Sequence, residues 1–171
     1  PRTLVSHIGT GRHYNINSKS GRLQILFTDS DQRNNIYNTD IASYYENMEC
    51  IEEMHHPYVV ITPDYMVYTA DFSKLIEQHI QSEADITLLY HAVDNAKDAY
   101  LNCNILNLNK QKGVLSIEPN HGNAKNRNIF MDTYIMKKDL FIELIRKAKA
   151  ISSAFTLADI INELHNELDV R

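Results

Sequence analysis

The apolar residues change period along this chain in a definite order, and that order limits the fold more than any other feature. "RLQILF" (22–27) and "YVVIT" (58–62) are short apolar runs of the kind strands use. Helical spacing follows each of them. It is set by Ile41, Tyr44, Tyr45, Met48 and Ile51 after the first run, and by Phe72, Leu75, Ile76, His79 and Ile80 after the second. Asp71 stands where the second helix needs an N-cap. The pattern then becomes four strand-like runs, "ADITLLYHAV", "YLNCNILNLN", "GVLSIEP" and "RNIFMDTYIM", with "NKQKG" (109–113) as a hairpin loop. Two amphipathic helices close the chain. Leu140, Phe141, Leu144, Ile145 and Ala148 line the first, and Leu157, Ile160, Ile161, Leu164 and Leu168 the second. Thr156 to Asp159 forms a capping box with Asp in the usual place of Glu. Two strand–helix units, a strand cluster and two helices predict a mixed sheet with helices packed on it, as one domain or most of one.

Composition narrows the function classes. A chain of 171 residues with 43% apolar content can bury a substantial core. A net charge of −5 argues against nonspecific binding to nucleic acid or anionic lipid. No apolar run has the length of a membrane span, and the first residues do not read as a signal peptide. Cys50 and Cys103 lack metal-site spacing and read as reduced thiols of a cytoplasmic protein. The chain opens on "PRTLVSHIG", the last turns of a helix capped by Gly9, which is what a piece of a longer protein would show.

Several residues are candidates for chemistry. Asp64 follows the strand run at 58–62, and strand ends in α/β proteins commonly carry a working acid. Asp29 and Asp31 in "FTDSD" could hold a divalent cation against a diphosphate, or could simply stabilise a turn. His79 lies on the apolar face of its helix, where a satisfied core histidine is expected before a metal ligand. "GTGR" (9–12) follows a helix instead of a strand and so fails the context for a phosphate loop.

The order of segments resembles the nucleotidyltransferase domain of the ADP-glucose pyrophosphorylase (glucose-1-phosphate adenylyltransferase) family, most closely its noncatalytic, regulatory-type bacterial subunit. "LVSHIGTGRHYNI" is similar to the family's helix ending in His-Leu-Gly-Ser-Gly, and "LQILFTDSD" to the strand after it. "IYNTDIASYYENMECI" is similar to the family's Gln-Gly-Thr-Ala-Asp-Ala segment. "YVVITPDYMVYTADFSKLIEQHIQSEADITLLY" resembles a strand, a Ser-Gly-Asp-His-Val-Tyr turn, a helix and a Gly-Ala-Asp strand. "SSAFTLADIINEL" resembles the Ser-Ser-His-Asp segment. The resemblance implies a partial Rossmann-like α/β nucleotidyltransferase fold, with a mixed, mostly parallel central sheet and helices on both faces. It also implies a single N-terminally truncated domain over 1–171. The family's C-terminal β-helix domain is not in this chain.

The departures from the family's motifs carry the functional expectation. Active members hold Mg²⁺ on two aspartates. Aligned on Val67 and Tyr68, the first falls on Tyr65, with Asp64 one residue away where the family has Gly. Side chains alternate along extended backbone, so that slip turns the carboxylate from its site. The second falls on Phe155, whose ring offers a metal no lone pair. In the sugar-phosphate pocket, a Gly falls on Thr39 and a Thr on Asp40. A Glu-Lys-Pro appears as Glu118-Pro119 without its lysine, and a Met-Gly as Met131-Asp132. The resemblance therefore implies no catalytic residues, no metal ligands and no cofactor in this chain. It implies a regulatory partner of a catalytic ADP-glucose pyrophosphorylase subunit in a hetero-oligomer, acting in glycogen synthesis, with a sugar phosphate or nucleotide as the ligand class. An active sugar-phosphate nucleotidyltransferase using shifted carboxylates, and an interaction module without a pocket, are the alternative readings.

Overall fold

The computed structural model describes residues 39–63 and 69–171. The strand read at 22–27, the Asp29 and Asp31 pair, Asp64 and Tyr65 lie outside the described residues. The helical stretch expected from Asp40 is two short helices, α1 (Asp40–Glu46) and α2 (Met48–Glu52). The break falls at Asn47, whose side chain donates to the Ser43 carbonyl at 2.9 Å and competes with the helical bond pattern. Next come β1 (Tyr58–Ile61), α3 (Phe72–Ser82) and β2 (Ile86–Val93). The strand cluster continues as β3 (Asn104–Leu108), β4 (Val114–Pro119) and β5 (Arg127–Lys137). α4 (Lys138–Ile151) and α5 (Leu157–Glu163) follow. No helix among the described residues is long and apolar enough to cross a membrane.

The sheet corrects the expectation of mostly parallel strands. Every strand pairing among the described residues is antiparallel; the one parallel contact is an isolated bridge between Ile86 and Val170. β5 causes this. Met136 lies opposite Val59 of β1 on one side and opposite Ile86 of β2 on the other. β1 and β2, joined through α3, thus point the same way, but β5 runs between them in the opposite sense. Helical and strand periods mark the elements of such a unit and carry no information on which strand becomes the neighbour.

β5 is the longest strand among the described residues, and Ile129, Phe130 and the run Thr133–Met136 within it are buried, as its place between β1 and β2 requires. Val59 is the one buried residue of β1; Tyr58, Val60 and Ile61 are half-buried. Ile86 and Leu88 of β2 pack with Phe130, Met136, Leu144, Ile145, Leu157 and Ile160 in the main core. Thr87, between them, points the other way. Its Oγ1 lies 2.6 Å from His79 Nδ1, so α3 covers the face opposite α4 and α5. His79 is 2% exposed, edge-on to Tyr58, and burial pushes its pKa down. It is the satisfied core histidine its helical position predicts.

α5 is tied to the sheet by one side chain. Asn162 donates to the Ile117 carbonyl at 2.7 Å and accepts the Ile117 N–H at 2.8 Å, pairing with β4 as a further strand would. The helix stops at Glu163, and Leu164 and Leu168 reach the core from the turn beyond it. Cys50 and Cys103 are free, half-buried thiols.

Candidate functional site

β1 and β3 lie along the same edge of β5 without meeting. β1 ends with Ile61 opposite Tyr134, and β3 begins its pairing with Ile105 opposite Ile129. A cleft of about 330 Å³ opens over the gap. Thr62 and Pro63 at the end of β1, Asn104 at the start of β3, and Asp132 and Tyr134 of β5 form its floor. The starts of α1 and α5 wall it with Asp40, Tyr44 and Thr156.

Asp132 reaches the cleft because β5 bulges there. Leu88 pairs with Tyr134 and Tyr90 with Phe130, so one residue of β2 faces three of β5. Such bulges re-aim side chains near sites. Asp132 takes a φ of 47°, the left-handed region that glycine enters without steric cost. The glycine that the family resemblance puts at this position would fit that backbone, and the aspartate bears the strain in its place.

Asp40 is committed to the fold. Its Oδ1 accepts the Ile41 N–H at 2.7 Å and the Leu157 N–H at 3.0 Å. The second bond supplies an acceptor to an N–H that the first turn of α5 leaves without an intrahelical partner. Thr156 and Asp159 cap the same turn reciprocally, as the capping box predicts. Thr39 is the N-cap of α1, its Oγ1 accepting the Ala42 N–H at 3.3 Å.

The cleft holds two carboxylates, and no Lys, Arg or His is among the described residues that line it. Burial, and then the neighbouring Asp40, push the Asp132 pKa up to about 6. Burial also raises Asp40, against the lowering effect of its backbone donors. Tyr44 and Tyr134 are pushed above their usual range, first by burial and then by these two acids, so both phenols stay neutral. Edge-on contacts with Phe141 and Phe130, each 5.1 Å between ring centres, hold the two rings. The described lining residues offer acceptors and hydroxyls, and no cation among them to receive a phosphate.

Of the positions expected from sequence, Asp40 and Asp132 meet here. Glu118 does not: it is exposed on β4, paired with Ile105, and lies outside this cleft. Phe155 is half-buried and packs on the main core, while the next residue, Thr156, lines the cleft. The phenyl ring supplies no metal-ligating atom at that position. No group of three or more His, Cys, Asp or Glu among the described residues is placed to hold a metal ion. Sequence reasoning missed Tyr44, Tyr134 and Asn104. Tyr44 stands one helical turn from Asp40, which is a legible signal. Tyr134 and Asn104 are ordinary strand residues until the bulge and the strand gap place them together.

No family model matches the chain. The glucose-1-phosphate adenylyltransferase of Clostridium perfringens (strain SM101 / Type A) is 28% identical over 136 residues, covering 79% of this chain and 34% of that protein. The enzyme of the same description from Clostridioides difficile (strain 630) is 23% identical over 150 residues, covering 87% of this chain and 38% of that protein. The chain thus spans somewhat over a third of the length of these curated relatives. Among solved structures, a Bacillus anthracis protein provisionally described as a glucose-1-phosphate thymidylyltransferase, in complex with a sucrose, superposes with a TM-score of 0.68 at 12% identity. That match covers 98% of this chain and 61% of the other, and it is a likeness of fold.

Proposed function

Because this chain belongs to the glucose-1-phosphate adenylyltransferase family, we propose that it is most of the nucleotidyltransferase-type domain of a regulatory subunit that makes no ADP-glucose itself. The observation that carries this reading is the meeting of Asp40 and Asp132 in a cleft with no cation among its described lining residues. A sugar phosphate entering there would bring its dianion toward two carboxylates in a partly desolvated space, where like charges repel more strongly than in water. Asp40 is also held by Leu157, so it does not turn aside cheaply. Loss of the lysine beside Glu118, and the ring of Phe155 in place of a carboxylate, act in the same direction.

The function left to such a domain is to bind and modulate a catalytic partner that converts ATP and glucose 1-phosphate to ADP-glucose and pyrophosphate. Its setting would be the cytoplasm, in glycogen synthesis. The test uses the full-length protein with Mg²⁺, ATP and glucose 1-phosphate, reading pyrophosphate release. Background rates alone, together with altered kcat or KM of a catalytic subunit that co-elutes with it, are the expected result. Mg²⁺-dependent turnover by the protein alone would overturn the noncatalytic reading. Failure both to co-elute with a catalytic subunit and to alter its kinetics would overturn the regulatory one.

A further inference from the structure

A second cleft, of about 820 Å³, lies at the other end of the β2–β5 pair and shares no lining residue with the first. Arg127, the first residue of β5, lines it. Its Nε is the one buried side-chain polar atom without a hydrogen-bond partner among the described residues. No ion pair engages its guanidinium among those residues, although Asp94 lines the same cleft. Native structures rarely leave a buried donor unmet, and such a group calls for an explanation.

The surroundings are built to a definite shape. Tyr100 lines the cleft at 45% exposure with a φ of 59°, a conformation costly for a bulky residue. Asn120, 3% exposed, holds that loop by donating from Nδ2 to the carbonyls of Ala96, Ala99 and Tyr100 at 2.8, 3.2 and 3.1 Å. Strain maintained by a buried anchor points toward function when it is observed directly. His91, Asn95, Asn126 and Asn128 complete the polar lining.

We propose that this cleft is a ligand site for a small hydroxylated anion, a sugar phosphate or a sugar acid, with its oxyanion on Arg127 and its ring on Tyr100. A guanidinium receives carboxylate and phosphate oxygens in the same forked geometry. The carboxamides of Asn126 and Asn128 suit hydroxyl groups as donors and acceptors. Asp94 can accept from a hydroxyl. A tyrosine face suits the apolar face of a sugar ring. The proposal stands independently of the regulatory reading.

The experiment is calorimetric titration of the full-length protein with glucose 6-phosphate, glucuronate, glucose and inorganic phosphate. Saturable binding of glucose 6-phosphate or glucuronate is expected, with glucose and inorganic phosphate each at least tenfold weaker. Which of the two binds separates phosphate from carboxylate as the anchor. Arg127→Gln should weaken binding by roughly ten- to a hundredfold, in line with loss of a charge-assisted bond. Tyr100→Gly relieves the left-handed strain, keeps the fold, and should also weaken binding about tenfold; it decides the matter if Arg127→Gln does not fold. Asp132→Asn, in the other cleft, should leave the affinity unchanged. No saturable binding of any probe, equal binding of glucose, or affinity unaltered by Tyr100→Gly would each overturn the assignment.

Discussion

The Asp40 carboxylate accepts the backbone N–H of Leu157 at 3.0 Å, joining the first turn of α1 to the first turn of α5. One side chain thereby closes a wall of the cleft, and in doing so places a negative charge in it. Asp40→Ala removes the acceptor and leaves a part-buried donor, so the expected loss is about 1–3 kcal/mol. Asp40→Asn keeps an acceptor and should lose less. Urea unfolding of the two variants checks this. Equal losses would mean that the charge, and not the Leu157 bond, sets the stability.

Asp132 makes stability depend on pH. Its pKa in the fold is about 6, above the ordinary 3.8, because of burial and then Asp40. Between those values the native state holds a proton that the unfolded chain releases, so this site loses stability as pH rises from about 4 through 6. Asp132→Asn should abolish that contribution. The gap in urea midpoint between variant and wild type should therefore widen in favour of the variant from pH 4 to pH 7. Taking the difference cancels the opposite trend from His79, whose lowered pKa adds stability as pH rises toward 6.5. A gap that stays constant would refute the assignment.

The backbone at Asp132 gives a separate prediction. With φ at 47°, the Cβ is strained, and Asp132→Gly should stabilise the protein by about 1 kcal/mol at pH 8. Asp132→Ala removes the same carboxylate and keeps the Cβ, so it should be less stable than the glycine variant. Thermal unfolding of the pair isolates the strain from the charge.

Asn162 is the strap between α5 and the sheet. Asn162→Ala unpairs both the N–H and the carbonyl of Ile117, at an expected cost of about 1–3 kcal/mol. Hydrogen exchange should speed up at Ile117 and leave the Phe130 and Ile135 amides protected. Uniform acceleration at all three would show global loosening instead of a released edge.

Local chemistry was readable where the residues that cause a feature lie within a few positions of it. Asp71 accepts from Lys74 and begins α3, and Thr156 with Asp159 begins α5, both as expected from caps three residues apart. The apolar faces of α4 and α5 were likewise legible, because helical spacing puts their core residues on one side. Asp40 and Asp132 could be marked singly, as odd residues in positions the family gives to Thr and Gly. Their meeting could not be read, because it depends on a bulge in β5 and a gap between β1 and β3. Those are relations between strands distant in sequence. For the same reason the parallel sheet was the wrong expectation: β1 and β2 do run alike, but β5 inserts between them. Period and capping are written into neighbouring residues, and they determined the elements. Pairing depends on which distant edge a strand's hydrogen bonds find, and the packed core decided it.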